Sequence, residues 1–132
     1  MTVIDVKPVD GLDIAVVNSD EVFIKTDDTA EQLFTTIKYQ GGTNLIAINQ
    51  EAFPQKFWDP LTGFPGKVRD RLQQNQMKMA VVGDFNPYAN GPFLEFMAEC
   101  NNGFHLFFVA DEDTAAKRLR NALEDDTRLN RV

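Results

Sequence analysis

Apolar residues alternate with polar ones at the head of the chain and recur every three or four positions further on, and this change of period predicts the order of elements. TVIDVKP reads as a strand, ended by Pro8 and the turn signal Val9-Asp10-Gly11. LDIAVVNSDEV puts Leu12, Ile14 and Val16 on one face and Ala15 and Val17 on the other, so a strand covered on both sides is expected. The Asp-Gly between them predicts an antiparallel hairpin. Val22 to Ile24 is expected to extend the second strand or lie beside it. A helix is predicted from Asp28, the expected N-cap, with Glu31 completing a capping box and Ala30, Leu33, Phe34 and Ile37 facing inward. Gly41-Gly42 is its stop. NLIAIN is a short buried strand.

A second helix is predicted from Gly63 or Phe64 to Gln74, with Val68 and Leu72 inward and Lys67, Arg69, Asp70 and Arg71 on a solvated face. KMAVVGDF and FHLFFVAD read as further buried strands, with His105 inside the second. Between them Asn90-Gly91-Pro92 opens a helix that turns Phe93, Phe96 or Met97, and Cys100 to one side and ends at Gly103. After Asp113 a last helix carries the stripe Ala115, Ala116, Leu119, Ala122 and Leu123. The expectation is one α/β domain over residues 1–124, with 125–132 as a charged tail. Its mixed sheet has about five strands, mostly parallel with an antiparallel first strand, and about four helices.

Composition narrows the function more than the fold. The chain has 132 residues, enough for one core. Thirteen Lys and Arg against 20 Asp and Glu give a net charge of −7. That balance argues against nucleic acid and anionic membranes as partners, since both call for basic patches. One cysteine rules out an internal disulfide, and one histidine removes most metal sites; no metal and no cofactor is expected. The opening MTVIDVKPVDG is unlike a signal peptide, and no apolar run approaches a membrane span, so a cytoplasmic setting is expected. The eleven phenylalanines are expected to leave an apolar patch that supports a homo-oligomer.

Candidate chemistry is sparse. Asp27-Asp28 and Asp111-Glu112-Asp113 stand where helices begin, which is where carboxylates cap backbone amides. Cys100 shares a face with Phe93 and Met97 and reads as a small buried hydrophobe. His105 reads as a satisfied side chain rather than a base, and Ser19 falls in a turn-like stretch. No nucleophile–base pair stands out. VVGDF and TGFPGK lack the spacing of a phosphate loop.

FWDPLTGFPGK, residues 57–67, is the distinctive stretch. Pro60 holds Asp59 extended, and Asp59 and Thr62 are placed to bond the turn's amides. Thr62 or a neighbour caps the next helix, with Pro65 in its first turn. Phe57 and Trp58 pin the bend to the core. This describes a rigid corner without activity. It also describes a binding loop, because the corner lies at the carboxyl edge of the sheet, where α/β folds usually bind ligands. Asp84 and Phe85, and Asn49 and Gln50, share that edge. A small-molecule site for an anion or nucleotide would draw on Asp59, Thr62, Lys67, Asp84 and Tyr88.

Two resemblances follow from these residues. FWDPLTGFPGK, MAVVGDF and FHLFFVADED resemble an uncharacterised bacterial family, the domain of unknown function numbered 4180, over nearly the whole chain. Its pattern looks like F-x-D-L-x-T-G-x-x-G-E followed by a V-G-D-F-type strand. Trp58, Pro60, Pro65 and Lys67 depart from it. The order of elements is also similar to the STAS domains of anti-sigma factor antagonists and to SpoIIAA-like proteins. These carry D-S-[ST]-G at the start of the second helix, where a partner kinase phosphorylates a serine or threonine. Asp59-Pro60-Leu61-Thr62-Gly63 occupies that place, one residue longer and without serine. The resemblance implies a non-catalytic regulatory module that binds an unknown partner through Phe57 to Lys67 and is switched at Thr62. The expected contact set is Phe57, Trp58, Asp59, Thr62, Gly63, Lys67, Asp84, Phe85 and Tyr88, with catalytic residues none.

Overall fold

Asp10 and Gly11 take left-handed φ values of 51° and 83°, the conformation a tight hairpin needs, and the first two strands close on them. The structure is a computed structural model that describes residues 1–88 and 91–129. Strands β1 (Thr2–Val9) and β2 (Leu12–Ser19) pair antiparallel, with Val9 opposite Leu12. Strands β3 (Leu45–Asn49), β4 (Lys78–Val82) and β5 (Leu106–Val109) then join in parallel, giving one sheet in the order β1-β2-β3-β4-β5. The helices are α1 (Asp27–Thr36), α2 (Phe64–Gln74), α3 (Gly91–Asn101) and α4 (Glu112–Leu129). The α/β class and the mixed sheet are therefore as the periodicity predicts.

Because the strand order never reverses, right-handed crossovers put α1, α2 and α3 on the same face. Phe34, Leu72 and Phe93 from these helices pack with Ala15, Ile46, Met79 and Phe108 of the sheet. Among the described residues the opposite face is covered by α4, whose Ala115, Leu119 and Ala122 pack on Val16, Ala47 and Phe107. Val22 to Ile24 lies beside the sheet: Phe23 and Ile24 both donate to the Ala52 carbonyl, and Ile24 is buried.

Local details differ from the pattern. The α1 N-cap is Thr26, not Asp28: its hydroxyl accepts from the Thr29 amide, and the Thr29 hydroxyl accepts from the Thr26 amide. Glu31 is free of the cap and receives Asn75 Nδ2 at 2.8 Å. A π-helical turn over Ile37–Gly41 carries α1 to its stop. The charged face of α2 does more than meet solvent. Arg71 reaches Asp27 at 3.1 Å and Arg69 reaches Glu99 at 3.0 Å, tying α2 to α1 and α3. The Arg71 hydrogen bond holds the Asp27 carboxyl below its usual range. His105 stands just ahead of β5 rather than within it, its Nδ1 3.1 Å from the Met77 carbonyl. The capped start of α4 is Asp111, which accepts from the Thr114 amide at 2.7 Å. From Glu112 the helix runs to Leu129, through the first part of the segment expected as a charged tail. Asn90 and residues 130–132 lie outside the described residues.

The α4 face contains one charge that pattern reading passed over. Lys78, buried at the start of β4, donates from Nζ to the Phe104 carbonyl at 2.8 Å and to Asp126 at 2.9 Å. Asp126 is partly exposed, which screens the pair. Asp126→Ala is expected to lower stability by about 1–2 kcal/mol, since it strips a buried ammonium of its charged partner. Lys78→Met is expected to stay within about 1 kcal/mol of wild type, because a methionine of similar length replaces the ion with apolar packing. Urea unfolding of the two variants checks the asymmetry; equal losses would mean the pair itself, rather than the orphaned charge, carries the effect.

Candidate functional site

The chain between β3 and α2 turns three times in short 3₁₀ segments, Gln50–Ala52, Gln55–Trp58 and Pro60–Thr62. Aromatic packing holds this path. Phe57 is fully buried and stacks on Phe53 at 4.1 Å between centroids, with Trp58 edge-on at 5.0 Å. The Trp58 indole lies parallel to the Tyr88 ring at 4.4 Å and edge-on to Phe93 at 5.5 Å. Asp59 is extended, as Pro60 requires, and its carboxylate accepts from the Leu61 amide at 3.0 Å.

Thr62 closes the bend. Its hydroxyl lies 2.8 Å from the Lys56 carbonyl and 2.7 Å from the Asp59 carbonyl, and it accepts from the Phe64 amide at 3.2 Å. The residue that opens α2 is Gly63, left-handed at φ 77°, with Pro65 in the first turn. Of the two expected caps, Thr62 or a neighbour, the N-cap is the neighbour Gly63, while the Thr62 hydroxyl takes the first helical amide.

An open cleft of about 610 Å³ lies against this bend, lined by Gln55, Lys56, Trp58, Asp59, Pro60, Thr62, Pro87, Tyr88, Pro92 and Phe93. Of the residues singled out from sequence, Trp58, Asp59, Thr62 and Tyr88 meet there. Phe57 and Phe85 are buried beneath, Phe85 5.9 Å from the indole. Gly63 sets the turn without lining the cleft. Lys67 lies near Asp27, toward α1, and helps hold that carboxyl low. The lysine at the cleft is Lys56, its ammonium 4.5 Å from the centre of the Phe64 ring.

Asp84 is absent from the cleft for two reasons. A sheet whose strand order never reverses has no switch-point crevice between β3 and β4. Gln50 also reaches across that edge, with its Oε1 accepting from the Asp84 amide at 2.6 Å. Sequence reading missed Gln55, Lys56, Pro87, Pro92 and Phe93. Asn90-Gly91-Pro92 reads as the opening of a helix, but nothing in one dimension places Pro92 and Phe93, or Pro87, opposite Trp58.

Among the described residues the cleft brings no nucleophile to a base. Cys100 lies elsewhere, on α3, buried, with its thiol pushed up to about 11 by desolvation. Among the described residues no group of His, Cys, Asp and Glu is placed to hold a metal ion. Among the described residues no helix is long and apolar enough to cross a membrane.

A family model described as Domain of unknown function (DUF4180) matches residues 9–119. The chain belongs to that family. Among curated proteins and among solved structures nothing matches it. The DUF4180 match takes in the whole bend, the Trp58 cleft and all four parallel strands, and begins only where β1 ends. In this DUF4180 member Trp58 and Pro60 line the cleft, and Pro65 is buried in the first turn of α2.

Proposed function

We propose that the chain is a small cytosolic, non-catalytic binding module that grips an apolar segment of a partner protein in the Trp58 cleft. The observation that carries this reading is the composition of that cleft: an indole stacked on a phenol, three prolines and a phenylalanine, with Leu61 left 82% exposed between two lining residues and Leu94 48% exposed beside a third. Exposed apolar side chains next in sequence to residues that line an aromatic hollow suit a contact surface. The single buried thiol suits a reducing compartment.

Thr62 is the proposed control point, a reading that draws on the resemblance to STAS domains. Its hydroxyl proton bonds the carbonyls that shape the cleft wall. A phosphoryl group there removes that donor and adds nearly two negative charges, so it both opens the bend and changes its charge. The other reading, an anion- or nucleotide-binding domain or an enzyme at the carboxyl edge, is weakened by Gln50 over Asp84 and by the position of Lys67.

The test is affinity capture from extracts of the source cell with wild type, Leu61→Asp, Leu94→Asp and Thr62→Glu. The leucines are exposed, so the folded state tolerates both changes. A specific partner is expected with wild type, weakened about ten-fold or more by each variant, with the melting midpoint of the two leucine variants unchanged. A partner that binds all four chains equally would remove the cleft from the account. A midpoint raised by nucleotides or phosphosugars would favour the ligand reading instead.

A further inference from the structure

The two edges of the sheet are finished differently. At the β5 edge the strand is short, and the Phe108 amide is taken by the Asn101 side chain at 2.9 Å. At the β1 edge an eight-residue strand lies bare, with Val3, Ile4 and Val6 exposed at 48%, 40% and 37%. Edge strands of that length and character are normally covered. None of the eleven phenylalanines is among the exposed large side chains, so the apolar surface at this edge comes from the aliphatic residues of β1 and not from the phenylalanine content.

The hydrogen-bond phase of β1 is set by its hairpin. Val9 and Leu12 close a tight turn and form a bonded pair, so Lys7, Asp5 and Val3 aim their backbone groups at β2. The Asp20 amide bonding back to the Met1 carbonyl keeps the same phase at the far end. Thr2, Ile4, Val6 and Pro8 therefore present their backbone groups outward. Pro8, which has no N–H to offer, sits at an outward position where the sheet loses nothing.

We propose that β1 pairs antiparallel with β1 of a second copy of this chain, about a two-fold axis through Val6. Charge selects both the occupant and the register. An outward-facing phase allows only pairings in which even positions meet even ones. Two such registers give the longest overlap. One sets Asp5 against Asp5 of the second copy. The other sets Val6 on Val6, Ile4 on Pro8, Val3 on Val9, and Asp5 on Lys7 on both sides of the axis. Like charges directly opposite destabilise a ladder and opposite charges support it, so the second register wins. In it the Val6 amides and carbonyls bond reciprocally, and the Ile4 amide meets the Pro8 carbonyl. Pro8 of the second copy then lies over Ile4 at the mouth of a 230 Å³ hollow that Ile4 shares with Phe23 and Leu33. The two sheets become one continuous sheet, and both Trp58 clefts stay open because β1 lines neither.

The experiment is sedimentation velocity of the full chain over a concentration series, with wild type, Asp5→Lys, Lys7→Asp, the double exchange, and an equimolar mixture of the two single variants. Wild type is expected to move from one chain to two as concentration rises. Each single variant is expected to dimerise about ten-fold more weakly, because both cross-axis pairs become like-charged. The double exchange is expected to restore the dimer. The mixture is expected to form a heterodimer that neither variant forms alone, an outcome a general charge effect does not produce. Circular dichroism confirms that the variants keep the wild-type fold. A wild-type chain that stays monomeric throughout, or a dimer unmoved by the single variants, would overturn the proposal.

Discussion

Phe57→Ala is expected to lower the unfolding free energy by about 3–5 kcal/mol, the largest loss of any single substitution in the Trp58 region. Phe57 has no exposed surface. It stacks on Phe53 at 4.1 Å and stands edge-on to Trp58 at 5.0 Å and Phe64 at 6.2 Å, with Phe108 of β5 at 6.2 Å. Removing the ring loses its transfer free energy, and the cavity left behind is walled by other rings that are themselves fixed by neighbours and do not collapse into it. Phe57→Leu fills most of the space and is expected to cost about 1–2 kcal/mol. Tyr88→Ala, at the half-exposed end of the same cluster, is expected to cost less than Phe57→Ala because water can enter the vacated place. Urea denaturation with an unchanged slope measures all three. If Tyr88 proved as costly as Phe57, the bend would be held from its rim and not from its floor. With total stabilities of typical domains near 5–15 kcal/mol, Phe57→Ala leaves a small margin. It is therefore a poor probe of binding, and the exposed Leu61 and Leu94 are better ones.

What could be read in one dimension was what depends on near neighbours. The hairpin at Asp10-Gly11, the stripe of α4 and the double-sided burial of β2 follow from local chemistry and period, and the structure has all three. The α1 cap lies two residues before the expected one: Asp28 and Glu31 have the spacing of a capping box, as do Thr26 and Thr29, and Glu31 is taken by Asn75 at the end of α2. Arg71 takes Asp27, Asn75 takes Glu31, and the threonines are left to close the turn. Lys78 was hidden in the same way, since its partners come from Phe104 and from Asp126 near the end of α4.

The site was half legible for a related reason. The bend announced itself through Trp58, Pro60, Thr62 and Gly63, whose local roles are fixed by their own backbone restrictions. Of the opposite wall only Tyr88 was legible, and Asp84 and Lys67, expected beside it, lie elsewhere. Asp84 and Lys67 follow the rule that α/β folds bind ligands at the carboxyl edge, but the rule needs a reversal in strand order, and a chain adding each strand to the same side provides none. The wall is built instead by Pro87, Tyr88, Pro92 and Phe93, brought round by the crossover from β4 to β5.

Gly83→Ala tests whether the β3–β4 edge is sealed, and a loss of about 2–4 kcal/mol is expected. Gly83 follows β4, and its amide donates to the Val109 carbonyl at 3.0 Å. A methyl placed there would stand 1.9 Å from Gln50 Oε1, 2.6 Å from Cδ and 2.9 Å from Cβ. Rotating the end of Gln50 away relieves the first two contacts but not the third, so the Gln50 backbone must also shift. The rotation gives up the bond to the Asp84 amide, about 1 kcal/mol, and the shift strains the turn that begins at Gln50, about 1–3 kcal/mol. Glycine is needed here for space, not for backbone freedom. In a Gln50→Gly background all three contacts vanish, so the same Gly83→Ala change is expected to cost at least about 1 kcal/mol less, a coupling that chemical denaturation of the four chains in the cycle would read directly. A neutral Gly83→Ala would mean that Gln50 swings freely and that the edge beside Asp84 is accessible. The case for a ligand at the carboxyl edge would then regain the ground it loses to Gln50, and the Trp58 cleft would no longer stand alone as the surface to which function is assigned.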